Sequence, residues 1–469
     1  LRSLGNETLA DTTDPAVAVA QQLCDKHPNR KESVLGTAAE YLGEHGVVPL
    51  EFNMEETIKS LDDNVAAGPD GMRNAYLKAL LLKWNDEDAK TAMQQTQRHA
   101  ELLAAGRMPQ PYYWFLRASK MFAVPKDGIV GKNAHDGVGA PDVRPLGATG
   151  VYGRTVLTAV MRAKSEDFGT VMWPHQTGVG IRNGASILTM ALQLLMEKHP
   201  EWAIIKLDVT NAFNEVSRDA ILKALAAEPE LRDCVPLFHA FMVAESPIVL
   251  QGDKGPHMQD SLRGREGMIQ GSPEGPAAFA IAFNVELKLL AEELREAAKG
   301  TKWEHDYPVV KAGADDTFVL GPIELILAPI ARFKERIKGI GLELKLSKTE
   351  WYVRDPEARA KAAPLCEAAG IRLGRHKGED GQPTDEYGFG VLVYGIAMGG
   401  DDNIARYLDR KLEEVARHME SVTKETAGEH TQTLWAFIYY CFTQETQYWA
   451  QNVPPRLSGP FLLKFDEIL

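Results

Sequence analysis

Apolar and polar positions along this chain follow two rhythms, and the switch between them outlines the fold. Helical spacing predicts helices over residues 86–106, 151–166, 185–198, 276–297 and 325–340, and over most of the chain from 403 on. Residues 1–50 read as helices broken by polar turns. A helical pattern over 53–82 is interrupted by Ala66-Ala67-Gly68-Pro69-Asp70-Gly71, where Pro-Asp-Gly supplies turn chemistry. Residues 120–144, with four glycines, predict a strand, a loop and a second strand. Ala203–Leu207 is a short buried strand ending at Asp208. The helix after it has Ser217 as its N-cap and Ile221, Leu222 and Leu225 as its apolar face. Residues 248–251, 262–269, 342–346 and 389–396 also read as extended. Val309-Val310 and residues 317–320 predict a hairpin with Ala314-Asp315-Asp316 at its turn. Strands clustered in the middle of a largely helical chain predict the α+β class.

Length and composition narrow this picture. The 469 residues suffice for about three domains or one large multi-lobed enzyme. A hydrophobic content of 44% with 25% charged residues excludes disordered and fibrous classes. The longest apolar runs, such as residues 277–283, fall far short of the roughly 20 residues a membrane-spanning helix needs. Cys24, Cys234, Cys366 and Cys441 lie far apart with no CxxC pair, and no two histidines have metal-site spacing. That pattern opposes a zinc module or a disulfide framework and predicts an intracellular, reducing compartment with the thiols packed in the core. The chain begins at Leu1 rather than Met and so reads as processed or partial. The net charge of −13 opposes a broadly nucleic-acid-binding surface. Residues 101–200 nevertheless hold 11 basic and 7 acidic residues. This local excess, with Arg117, Lys120, Lys126, Arg144, Arg154 and Arg182, predicts a basic track on an acidic body.

Candidate chemistry centres on three aspartates. Asp208 ends a buried strand, and Asp315 and Asp316 sit at a hairpin tip. Carboxylates at strand ends from two separate segments are what two-metal phosphoryl transfer requires, with ions about 4 Å apart. Taken alone, an Asp-Asp pair at a turn is ordinary, because Asp favours turns.

The order of blocks around these aspartates resembles a reverse transcriptase of the non-LTR retrotransposon type. Ala67-Gly68-Pro69-Asp70-Gly71 resembles that family's PGPDG block. Val124-Pro125-Lys126 followed by Arg144-Pro145-Leu146 resembles its IPK and YRPI segments. His175-Gln176-Thr177-Gly178 with Arg182-Asn183-Gly184 resembles QxGFRxGRS. Lys206-Leu207-Asp208-Val209-Thr210-Asn211-Ala212-Phe213-Asn214 resembles the first palm motif, and Gly267-Met268-Ile269-Gln270-Gly271-Ser272-Pro273 the second. Ala314-Asp315-Asp316 resembles the third, YADD. Gly341-Leu342-Glu343-Leu344 with Ser347-Lys348-Thr349-Glu350 resembles GLxLNxxKTE, and Tyr394-Gly395-Ile396-Ala397-Met398-Gly399 the primer-grip segment. Each block is unspecific by itself; their joint order over residues 53–400 carries the resemblance.

The resemblance implies a right-hand polymerase. A helical extension would cover residues 1–50, fingers 51–200, a palm with an antiparallel sheet 201–400, and a helical thumb 401–469. It implies an RNA-directed DNA polymerase that adds dNTPs to a DNA or RNA primer on an RNA template, with two Mg²⁺ ions (Mn²⁺ as substitute). Asp208, Asp315 and Asp316, with Val209 beside the first, would hold the metals. Phe213 would be the gate beneath the sugar; the plain alternative is a core Phe. A gate at Phe213 also argues against an RNA-dependent RNA polymerase. Lys126 and Arg144 would clamp the triphosphate, or else are ordinary surface cations. Gln270 would contact the incoming nucleotide, and Gly395 would admit the primer backbone. Lys348 would be the general acid for pyrophosphate, or a solvated lysine after a strand.

Some positions depart from the pattern. Gly313 stands where the family has Tyr, Gly275-Pro276 where it has Ser-Pro, and Asn214 where it has Asp. No endonuclease or zinc knuckle is visible. These departures and the acidic charge frame a second reading from another class: a domesticated polymerase fold serving as a structural or RNA-binding subunit of a larger assembly.

Overall fold

The structure, a computed structural model, describes residues 15–27, 35–81, 86–125, 143–252, 255–374, 389–426 and 430–468. Eleven strands run through them: β1 (Ser119–Pro125), β2 (Val143–Thr149), β3 (Ala203–Leu207), β4 (Ser246–Gly252), β5 (Gly255–Gly264), β6 (Val309–Gly313), β7 (Asp316–Gly321), β8 (Glu350–Val353), β9 (Arg372–Leu373), β10 (Gly390–Val393) and β11 (Ile396–Gly399). Helices and sheets are both present, as the α+β class requires. The chain divides into two compact units, each assembled from three separated stretches.

The first unit comprises Leu1–Ile181, Thr210–Glu286 and Lys334–Glu343. Its sheet has the order β2-β1-β4-β5, with a parallel β1–β4 pair between two antiparallel ones. Met121, Val143, Ile248, Leu250, Leu262 and Ile269 form the core on one side, joined by Leu23 from the helix Pro15–Asp25. The helix Gly275–Ala298 opens with the run Ala277 to Phe283, every residue of which is buried. A helix that is apolar all round belongs inside a fold, not on its surface. Ser217 caps the helix Arg218–Ala227 as its sequence predicts, its hydroxyl accepting from the Ala220 N–H at 3.3 Å.

The second unit comprises Arg182–Val209, Leu287–Phe333 and Leu344–Leu469. Its five-stranded sheet has the order β6-β7-β3-β8-β9, antiparallel except between β8 and β9. In β3, Lys206 alone is less than fully buried, which explains a nearly continuous apolar run in place of alternation. On one face, Ile204, Phe318, Leu320 and Tyr352 pack with Leu188, Leu192 and Met196 of the helix Gly184–Lys198. Val391, Val393 and Met398 of the β10–β11 hairpin join the same cluster. A further core joins Leu408, Leu412, Val415 and Met419 of the helix Asp401–Thr426 to Phe461 and Phe465 of the helix Pro455–Ile468. No helix of the described residues is long and apolar enough to cross a membrane.

Several sequence expectations need correcting. Residues 342–346 form no strand: only Leu344 makes a single bridge, to Val209, and the sheet is continued by β8. Gly341, at φ 81, turns the chain sharply just before this segment, and the short helical turn Leu346–Lys348 follows it. The stretch 262–269 is extended only through Gly264. The β6–β7 turn consists of Ala314 and Asp315 alone, because Asp316 already pairs with Gly313. Among the thiols, Cys234 and Cys366 are buried, and burial pushes Cys366 up to about 12, but Cys441 is exposed.

Candidate functional site

The aspartates are positioned by strand register in the second unit. The β3–β7 ladder ends at the pair Leu207–Thr317, so Asp208 and Asp316 are the next positions outward along neighbouring strands. Across the hairpin, Asp316 pairs with Gly313. Period-two alternation puts Asp208, Lys206 and Ile204 on one face of β3, and Asp316, Phe318 and Leu320 on the matching face of β7. Two contacts hold this end. Lys345 N–H donates to the Asp208 carbonyl at 2.8 Å as part of the Val209–Leu344 bridge, and the buried Thr317 hydroxyl donates to the Asp315 carbonyl at 3.3 Å.

Electrostatics tie the three carboxyl groups together. Burial raises the Asp315 carboxyl above its ordinary range, and the charges of Asp316 and Asp208 push it further the same way. A hydrogen bond from its own backbone and the Lys206 charge pull it back in part. Lys206 is the balancing cation that sequence reasoning missed. Its Nζ lies 3.1 Å from Asp316 Oδ1 and donates to the Leu392 carbonyl at 3.1 Å. The signal was available: a lysine interrupting an apolar strand two residues before an aspartate must point the same way as that aspartate.

Backbone strain collects here too. Among the described residues, four that are not glycine have positive φ: Asn183, Asn211, Ala314 and Tyr394. Asparagine tolerates this region; Ala and Tyr do not, at a cost of order 1–3 kcal/mol each. Ala314 (φ 56) starts the Asp315 turn, and Tyr394 (φ 49) with Gly395 (φ 77) makes the β10–β11 turn. Positive φ at both central residues of a two-residue hairpin loop is the type I′ turn. Gly395 is exposed, and a Cβ there would meet nothing within 4 Å, so the glycine answers to backbone conformation, not crowding. Tyr448 donates its hydroxyl to the Tyr394 carbonyl and Tyr407 to the Gly395 carbonyl, both at 3.0 Å. Burial and the nearby Asp316 and Asp315 charges push the Tyr394 phenol well up.

The donor chemistry fits a hard divalent cation. Three oxygen-only side chains lie in electrostatic contact, and one of them is raised by burial and then by its neighbours' charge. Even so, among the described residues no group of three or more His, Cys, Asp or Glu side chains is gathered closely enough to hold a metal ion. Asp316 commits one oxygen to Lys206. The three carboxylates are therefore neighbours without forming a closed cage.

The family profile described as "Reverse transcriptase (RNA-dependent DNA polymerase)" matches residues 125–382, more than half of the chain. The chain belongs to this reverse transcriptase family. Its members act on a nucleic-acid template and primer with dNTPs and generally use divalent metal ions. No curated protein matches the chain.

In this reverse transcriptase chain, Lys348 is exposed and carries no ion pair among the described residues. Its N–H donates to the Lys345 carbonyl at 2.9 Å. The remaining candidates belong to the first unit. Arg144 is exposed on β2 opposite Val124, without an ion pair among the described residues. Lys126 lies outside the described residues. Gln270 is half-buried, its carbonyl accepting from the Gly147 N–H at 2.8 Å. Gly271 (φ 103) leaves no room beside Gly147, where a Cβ would come 2.7 Å from the carbonyl oxygen. Phe213 is half-buried with its ring centroid 5.1 Å from that of Phe279, which stacks on Phe283.

Two other sequence features have structural causes in the same unit. Asn214 is 1% exposed and donates to the Lys26 carbonyl at 2.8 Å, and Asn211 donates to the same oxygen at 3.0 Å. Aspartate at 214 would set a buried charge against a carbonyl with no proton to give, which accounts for asparagine there. The expected basic track is thinner than composition suggests. Arg117 is buried and donates to the Phe241 carbonyl, and Arg154 donates to Asn74 Oδ1 at 3.2 Å.

Proposed function

We propose that this chain is an RNA-directed DNA polymerase of the non-LTR type, extending a primer 3′-end with dNTPs by two-metal catalysis. The observation that carries this reading is the register that sets Asp208, one position beyond the Leu207–Thr317 pair, beside the Asp315–Asp316 hairpin, inside a chain of the reverse transcriptase family. Residues 51–200 would serve as fingers, 201–400 as palm and 401–469 as thumb, after a helical extension over 1–50.

Asp208 and Asp315, with the backbone at Val209, would hold the catalytic ions, and Asp316 would support them through its tie to Lys206. Bound there, Mg²⁺ would favour the primer alkoxide and neutralise the departing pyrophosphate. Lys348 is exposed, as a proton donor to that leaving group must be. Arg144 and Lys126 would clamp the triphosphate, and Gln270 would meet the incoming nucleotide from a loop fixed by the Gly147 hydrogen bond. Gly395 would face the primer at an exposed turn.

Phe213 would be the sugar gate. Its ring packs tilted at 38° against that of Phe279, a contact that would help fix the ring as a gate requires. Phe213→Val should raise rNTP relative to dNTP incorporation by roughly 10–100-fold, since excluding one hydroxyl by shape is a differential transition-state effect. An unchanged ratio in an active variant assigns Phe213 to the core. The deciding experiment is primer extension on RNA and DNA templates with Mg²⁺ or Mn²⁺. Complete absence of extension by the wild type favours the scaffold reading, which the acidic net charge of −13 supports.

A further inference from the structure

Gly313 and Tyr394 lie 81 residues apart in sequence yet share one space in the second unit. Gly313 is buried, and a Cβ on it would sit 1.7 Å from the Tyr394 hydroxyl oxygen, 2.6 Å from Cζ and 2.8 Å from Cε2. Contacts this short are impossible, so even alanine at 313 and the observed Tyr394 ring exclude each other. The ring lies beside Asp316, which pairs with Gly313 across the hairpin.

Tyr394 is not there by default. It occupies the first position of a type I′ turn, where Asn, Asp or Gly is expected and a bulky residue is strained. The strain is held in place by Tyr448 and Tyr407, whose hydroxyls grip both carbonyls of the turn. Lys206 adds a third tie, bonding the Leu392 carbonyl beside the turn and Asp316 at once. Strained residues that are over-determined by their surroundings cluster at functional sites.

We propose that Tyr394 supplies the aromatic wall of the carboxylate site that position 313 lacks, with Gly313 as the opening that admits it. The ring reaches the site from the β10–β11 turn instead of from the residue before Ala314. There it would pack against the terminal nucleotide of the primer, beside Asp315 and Asp316. Positions 313 and 394 then form one exchangeable unit, and the Gly313 departure is a relocation of the ring, not its loss. This inference rests on the polymerase reading for the primer contact, but not for the interlock of the two residues.

The test compares wild type, Gly313→Ala, Tyr394→Gly, the double Gly313→Ala/Tyr394→Gly and the exchange Gly313→Tyr/Tyr394→Gly. Thermal unfolding and steady-state primer extension are both measured, the latter well below every Tm. Gly313→Ala should lower Tm, and adding Tyr394→Gly should restore it. Tyr394→Gly alone should raise the apparent KM for primer–template roughly tenfold, and the exchange should recover most of that loss. A purely structural role would cut the active fraction, and with it kcat, without moving KM. Strict additivity of the two Tm changes overturns the interlock, and an unchanged KM in Tyr394→Gly overturns the primer contact. If wild type extends nothing, the polymerase reading fails, and the interlock still stands or falls on the Tm cycle.

Discussion

Replacing Asp315 with asparagine should abolish primer extension while making the metal-free protein more stable. On the polymerase reading the two effects have opposite signs, because the same carboxylate would serve catalysis at the expense of the fold. Asp315 sits half-buried between the charges of Asp316 and Asp208, with Lys206 offsetting only part of the repulsion. Asparagine keeps the shape and removes the charge. Extension should fall by at least roughly 10²–10³-fold, the loss seen when one preorganised electrostatic group is removed from an active site. In chelator, Tm should rise by roughly 2–4 °C, which is what about 1 kcal/mol yields in a unit of 150–250 residues. Adding Mg²⁺ should raise the wild-type Tm by mass action and leave the variant nearly unmoved. Calorimetry with and without Mg²⁺ reads both Tm effects, and a primer-extension assay reads the loss of activity. A variant less stable than wild type in chelator, or one stabilised equally by Mg²⁺, would remove Asp315 from the metal site.

The same carboxyl gives a signed pH dependence. Its pKa is raised in the folded chain, so across the window from the ordinary carboxylate range up to that raised value the folded state holds the proton longer than the unfolded one. In metal-free protein, this group's contribution to stability therefore declines as pH rises through that window and is lowest above it. The Tm gap between Asp315→Asn and wild type should be full above that window and narrow as pH falls through it. A gap that widens on acidification contradicts the assigned repulsion.

How much of this was legible in the sequence depends on whether a local signal or a long-range contact fixed each part. β3 was readable to the residue because a buried run ending in Asp is bounded on both sides. The Ser217 cap was readable because capping is local. Residues 342–346 read as a strand on their apolar alternation, yet Leu342 and Leu344 are buried without a ladder, and only the presence of a partner strand decides between the two outcomes. The aspartates were visible as types and spacings, but Lys206 and Tyr394 were not assigned. Lys206 matters through pairing with a strand 110 residues away, and Tyr394 through a turn that its own sequence disfavours. Gly313 read only as a departure from the pattern for the same reason, since nothing local says which distant side chain fills the space above a glycine.

Arg218→Met should be among the most destabilising single changes in the first unit. Arg218 opens its helix, where the dipole disfavours a cation, and it is only 1% exposed. Its guanidinium repays both costs by donating to four backbone carbonyls: Gly267 at 3.1 Å, Met242 at 2.9 Å, Ala244 at 3.3 Å and Gly264 at 2.8 Å. A buried charge can often be replaced by apolar packing when its partner is replaced too. Here the partners are main-chain carbonyls, which no substitution removes, so methionine leaves them in the interior without these donors. The expected cost is roughly 3–5 kcal/mol, comparable to breaking a buried ion pair. Lysine should recover only part of it, because one ammonium cannot span the acceptors that a planar fork reaches. The damage should be directional. Gly264 and Gly267 bracket the turn leading to Gln270, so hydrogen exchange at Met268 and Gly147, whose N–H groups bond the Phe213 and Gln270 carbonyls, should accelerate most. A variant with wild-type Tm and unchanged exchange at these two amides would show that the clasp holds nothing. A loss of stability with uniform exchange would show that Arg218 supports the core at large, not the Gln270 loop.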